Sequence, residues 1–181
     1  LCVHACKDRR APITGKEHPM TPKGYSATQI ALHWIVAILI LSQYLLAEGM
    51  EEAWEVVEDG GQAVTTTGAL IHIVIGAAVF LFAIWRLSLR FSRGAPGPAE
   101  GETGLQAPIA KGTHLLLYLM MLGLPVGGAA AWFLGIEAAA ELHIVGKTVL
   151  MLLIVLHILG ALYNQLFLKN RLIGRMMKAA D

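Results

Sequence analysis

The chain has 181 residues, a mean hydropathy of +0.60, 56% hydrophobic residues and only 15% charged ones, where soluble globular chains carry roughly 25%. Its net charge is +1, and its two cysteines, Cys2 and Cys6, lie at the very start. That excludes a nucleic-acid footprint, an acidic disordered tail and a disulfide framework. The composition describes a small integral membrane protein.

In chain order, residues 1–24 come first. LCVHACKDRRAPITGKEHPM has no apolar core, so it is not a signal peptide. It reads as a disordered cytoplasmic extension, with Met20 a sensible native start. Cys2, His4 and Cys6 lack the CxxCH order of covalent cofactor attachment.

Residues 25–178 read as one all-α unit with four apolar runs of bilayer-crossing length. They are 30–47 (IALHWIVAILILSQYLLA), 69–85 (ALIHIVIGAAVFLFAIW), 115–134 (LLLYLMMLGLPVGGAAAWFL) and 142–163 (LHIVGKTVLMLLIVLHILGALY). None alternates with period two, so helices are expected rather than barrel strands. Pro125 inside the third run predicts a kink, not a break.

Charge sets the topology. Every Lys and Arg except Lys147 falls in the leader, the connection between the second and third runs, or the tail. The other side has a loop with Glu48, Glu51, Glu52, Glu55, Glu58 and Asp59, and a turn with Glu137 and Glu141. The positive-inside rule puts both termini in the cytoplasm, and short connections favour an up-down four-helix bundle.

Five of the seven histidines lie in or at these runs: His33, His72, His114, His143 and His157. Ionisable groups at such depths usually face a bundle interior, a cavity or a cofactor. His143 and His157 are fourteen residues apart, which is about 40° short of four turns and about 21 Å along one helix face. Each needs a partner at its own depth. His72 matches His143 on the acidic side, while His33 and His114 compete for His157 on the basic side. Facing imidazoles at two levels are what two stacked b-type haems require. Zinc or copper would want three or four ligands at one level, and no intramembrane Asp or Glu accompanies the histidines as in a proton relay. Gly76, Gly127, Gly128, Gly146 and Gly160 suit either close approach of a flat macrocycle or plain helix packing.

Several stretches carry a family likeness: YSATQIALHW opening the first run, ALIHIVIG opening the second, THLLLYLMMLGLPVGG in the third, the His143-to-His157 spacing, and the terminal LKNRLIGRMM. From Tyr25 to Met177 the chain resembles the bacterial cytochrome b561 family of four-helix di-haem membrane cytochromes. The resemblance implies His33 and His157 as axial ligands of a haem b on the cytoplasmic side, and His72 and His143 as those of a second. It further implies a multi-pass protein of the bacterial inner membrane that exchanges electrons with ubiquinone or another membrane quinone. His114, Lys111, Arg93 and Asn164 gather at the cytoplasmic mouth as candidate quinone or propionate contacts. Some family members are thought to take electrons from superoxide on the periplasmic side.

Two departures qualify the likeness. Seven residues beyond His157, where family members can carry a further histidine, this chain has Asn164; it can hydrogen-bond a quinone carbonyl but cannot titrate near neutrality. The acidic outer loop would repel superoxide, with Lys147 as the one local counterweight. Other readings stay open: a haem b anchor subunit of a larger dehydrogenase or hydrogenase with a periplasmic partner, and a non-haem transporter or structural membrane protein.

Overall fold

The structure, a computed structural model, describes residue 22 and residues 24–97, 104–170 and 172–180. The expected disordered extension, with Cys2, His4 and Cys6, lies outside the described residues except for residues 22 and 24. Among the described residues there are five α-helices and no strand: α1 (Ala27–Leu45), α2 (Glu48–Glu58), α3 (Thr67–Arg93), α4 (Gln106–Leu134) and α5 (Glu137–Leu166), with a 3-10 turn at Ile173–Met176. Four of these helices, α1, α3, α4 and α5, are apolar and 19, 27, 29 and 30 residues long. At 1.5 Å per residue they reach about 28 to 45 Å, enough for a hydrocarbon core of about 30 Å. The fold is the expected all-α four-helix membrane bundle.

Local chemistry sets the helix ends. Ser26 caps α1 in a reciprocal box with Gln29, each side chain bonding the other's backbone. Thr66 caps α3 by accepting from the Ala69 amide at 3.2 Å. Gly135 ends α4 in the left-handed region at φ 65°, where a side chain would be strained. Helix α4 continues through Pro125.

Two expectations need correction. The acidic stretch expected as a loop contains α2, because Met50, Ala53, Trp54 and Val57 recur at helical spacing. Ala53 is buried with Ala69 and Trp132, flanked by Met50 and Trp54, while Glu51, Glu52, Glu55 and Glu58 stay exposed. The helix enters so close to α3 that a Cβ on Gly49 would lie 2.8 Å from the Gly68 Cα. The arginines expected in a loop after the second run lie within α3, whose last turns carry Arg86, Arg90 and Arg93.

Packing runs α1 on α3, α3 on α4 and α4 on α5, with α2 against α3. The inner seam holds Val36, Val79, Ala83 and Met121, with Phe82 and Tyr118 against them. Large apolar side chains such as Ile38, Leu41, Leu81, Leu119 and Leu152 are more than half exposed, as lipid-facing residues must be. Among the described residues, α5 does not approach the backbone of α1 or α3 as closely as it approaches α4. The bundle is looser where its histidines face one another.

Candidate functional site

At the acidic end, the second turns of α3 and α5 carry His72 and His143. Their ring centres lie 6.2 Å apart at an interplanar angle of 62°. His143 Nδ1 donates to the Leu124 carbonyl at 2.9 Å. A carbonyl can only accept, so the ring proton sits on Nδ1 and Nε2 keeps a free lone pair, as a metal ligand needs. Gly128 makes room for that ring: a Cβ there would lie 3.0 Å from its Cε1 and Nδ1. His72 Nδ1 is buried with no hydrogen-bond partner, and the His72 carbonyl accepts from Gln43 Nε2 at 3.0 Å.

At the basic end, α1 and α5 bring His33 and His157 together with the same 6.2 Å separation and 62° angle. His114 of α4 stands 5.1 Å from His157 by ring centres, and its Nδ1 donates to the Ala110 carbonyl at 2.6 Å. Both candidate partners of His157 are therefore beside it. Arg86 Nη1 donates to His33 Nδ1 at 3.0 Å, and its Cζ lies 6.0 Å from the Tyr118 ring centre. Just ahead of α1, burial raises the Tyr25 hydroxyl above its ordinary range, against the pull of Arg90, Arg175 and Arg86.

The spacing tests whether a haem fits. A metal–nitrogen bond of about 2 Å on each side, plus a ring radius of about 1.1 Å, puts the centres of two imidazoles on one metal about 6 Å apart. Both pairs have that separation. The unpartnered His72 Nδ1, the Nδ1 proton of His143 and the loose contact of α5 with α1 and α3 fit a flat group held between helices.

A cavity of about 270 Å³ opens beside the basic pair. Leu87, Phe91, Leu115, Leu119 and Leu122 form its apolar wall, and Arg90, Lys111, His114 and Tyr118 supply polar groups. The structure thus joins His114 and Lys111 at one mouth, but not the whole expected set. Arg93 is exposed at the end of α3. Asn164 bonds the Gly160 carbonyl at 2.9 Å and accepts from Asn170 Nδ2 at 2.7 Å. Neither lines the cavity; Arg90 stands there instead. Charge counting accounts for Arg86 and Arg90 only as topology, although their spacing of four along one helix face is a usable signal. Lys147 pairs with Glu51 of α2 at 2.7 Å, so its charge is already met. Of the five glycines named from sequence, Gly128 meets a histidine ring, Gly146 and Gly76 meet Leu124 and Gln43, Gly127 only touches the Ala139 carbonyl at 3.9 Å, and Gly160 meets nothing within 4 Å.

A membrane bundle with imidazoles facing in pairs at two depths has the architecture of a multi-pass membrane cytochrome. The chain belongs to the prokaryotic cytochrome b561 family, whose family model matches residues 24–179. It is 37% identical over 157 residues to cytochrome b562 of Cereibacter sphaeroides, covering 86% of this chain and 96% of that protein. It is also 24% identical over 179 residues to a probable superoxide oxidase, CybB, of Yersinia pestis, again covering 86% of this chain and 96% of that protein. Membership makes this a haem-binding electron-transport protein of a bacterial membrane and removes the non-haem transporter and structural readings.

Proposed function

We propose that the protein carries electrons across the membrane through two bis-histidine haems b and exchanges them with a membrane quinone. The observation that carries this reading is the repeated pair geometry, 6.2 Å and 62°, at the two ends of α5. His33 and His157 would hold the haem at the basic end, and His72 and His143 would hold the other. Haem b supplies a reversible one-electron iron couple. With both imidazoles of a pair engaged in holding the group, each haem would supply electron transfer rather than oxygen binding. His143 is fixed in the ligating tautomer by the Leu124 carbonyl, and Gly128 leaves its ring the space to stay there.

The quinone site is the cavity between α3 and α4. A quinone needs an apolar slot for its ring and a few convergent donors for its carbonyl oxygens. The leucines and Phe91 form the slot, while Lys111, Arg90 and Tyr118 donate and His114 Nε2 can accept from a quinol hydroxyl. The basic end, and with it both termini, faces the cytoplasm by the positive-inside rule. Superoxide is the weaker candidate donor. The name of the Yersinia relative raises it, but the acidic face of α2 repels an anion and Lys147 is paired. The test is a pyridine haemochrome assay with anaerobic quinol titration in detergent. Two haems per chain, both reduced by quinol, are expected; one haem per chain, or no reduction by quinol, overturns the reading.

A further inference from the structure

Helix α3 runs in the same direction as α5 and repeats its spacing, with His72 and Arg86 fourteen residues apart as His143 and His157 are. One face of α3 therefore presents an imidazole at the acidic level and a guanidinium at the basic level. Arg86 is half-buried, donates to His33 and leans over Tyr118. Its charge is permanent, since a guanidinium does not deprotonate in proteins. Among the described residues the ion pair is Lys147–Glu51, so Arg86 and Arg90 have no carboxylate partner there. The acidic level is the reverse, with its lysine neutralised and further carboxylates on α2.

The contact with His33 also has a direction. Arg86 can donate only to an unprotonated Nδ1, whereas a ring that ligates iron through Nε2 carries its proton at Nδ1. On loading, Arg86 must exchange His33 for another acceptor at the same level. The carboxylate edge of a haem is the acceptor its chemistry suits. Fixed positive charge favours the form with the added electron, and fixed negative charge opposes it.

Resting on the two-haem reading, we propose that Arg86 neutralises a carboxylate of the basic-level haem and makes that haem the higher-potential member of the pair. At an effective dielectric of about 20, one charge at such range shifts a one-electron equilibrium on the order of tenfold, which corresponds to about 59 mV.

The test is an anaerobic potentiometric titration of the purified holoprotein, wild type beside R86Q, R86K and H143A. Wild type should show two one-electron components. H143A, retaining the basic-level haem, should keep the higher one. R86Q should lower that component alone by on the order of tenfold in its reduced-to-oxidised ratio, and R86K should restore most of the loss. Loss of the basic-level haem in R86Q with retention in R86K also supports the proposal, because the charge is then what holds it. Unchanged midpoints in R86Q, survival of only the lower component in H143A, or haem loss in both Arg86 variants overturns it. One haem per wild-type chain would instead overturn the two-haem reading.

Discussion

At the acidic end, His72 and His143 face each other. Helix α2 lies against α3, Trp54 and Trp132 meet at 6.4 Å with their rings tilted by 42°, and a backbone carbonyl accepts from the His143 ring. At the basic end, His33 and His157 face each other in the same relation, but amid a third histidine, an open cavity, and arginines that have no carboxylate partner among the described residues. The helices reproduce one ring geometry twice because a fourteen-residue spacing returns nearly to the same face. The surroundings differ because charged residues are sorted to opposite sides of the membrane. On the proposed function, shared geometry suits both ends to the same group, and charge sets how the ends differ.

The largest expected effect breaks the acidic end and leaves the basic one. His143→Ala has no substitute ligand at its level, so haem content should fall from two per chain to one by pyridine haemochrome. The basic end is the ambiguous one, because His33 and His114 both face His157. His114→Ala should keep both haems and His33→Ala should lose one. If His33→Ala keeps two while His114→Ala loses one, His114 is the ligand and the pairing is reversed.

A smaller effect compares glycines on the two halves. At Gly128 a Cβ presses on the His143 ring, whereas at Gly160 it meets nothing within 4 Å. Gly128→Val should destabilise the holoprotein by about 1–3 kcal/mol through overpacking, with the acidic-end haem released first on heating. Gly160→Ala should be neutral or slightly stabilising, since Ala is the better helix former. Equal effects at both sites would mean that Gly128 serves helix packing rather than the ring.

The two ends were not equally legible in the sequence. Four spans follow from run length alone, and the His72–His143 pairing from depth, because no other membrane histidine lies on that side. The helix α2 was hidden because acidic residues on its water-facing side masked Met50, Ala53, Trp54 and Val57, whose helical spacing was present all along. The basic mouth was the hardest part. Long side chains there reach across helices, so Arg86 meets His33 from fifty-three residues away, while Asn164, at the right depth, turns to Asn170. Depth can be counted along a helix; the partner chosen by a flexible polar side chain cannot.

The cavity gives a kinetic test of the same contrast. Lys111 is exposed at its rim, so Lys111→Leu should leave folding and haem spectra unchanged. Quinol-linked haem reduction should slow about tenfold, a loss of about 1.4 kcal/mol in transition-state stabilisation. Wild-type rates in stopped-flow measurements would place the quinone elsewhere.

The smallest effect concerns the ion pair that joins α2 to α5. Lys147 and Glu51 approach to 2.7 Å, but their side chains are 40% and 57% exposed. Water and salt screen such a pair, and the two long side chains lose freedom in making it, so exposed pairs contribute about 0–1 kcal/mol. Helix α2 is held more firmly by Ala53, Ala69 and Trp132 and by the close approach of Gly49 to Gly68. Glu51→Gln should therefore change thermal stability by less than about 1 kcal/mol, with the difference shrinking further in high salt. The same variant uncovers the Lys147 charge one turn from His143, so it should raise the potential of the acidic-end haem and leave the other unmoved. A large stability loss without any potential shift would make the pair a structural clasp, and the contrast between the two ends would then rest on the arginines alone.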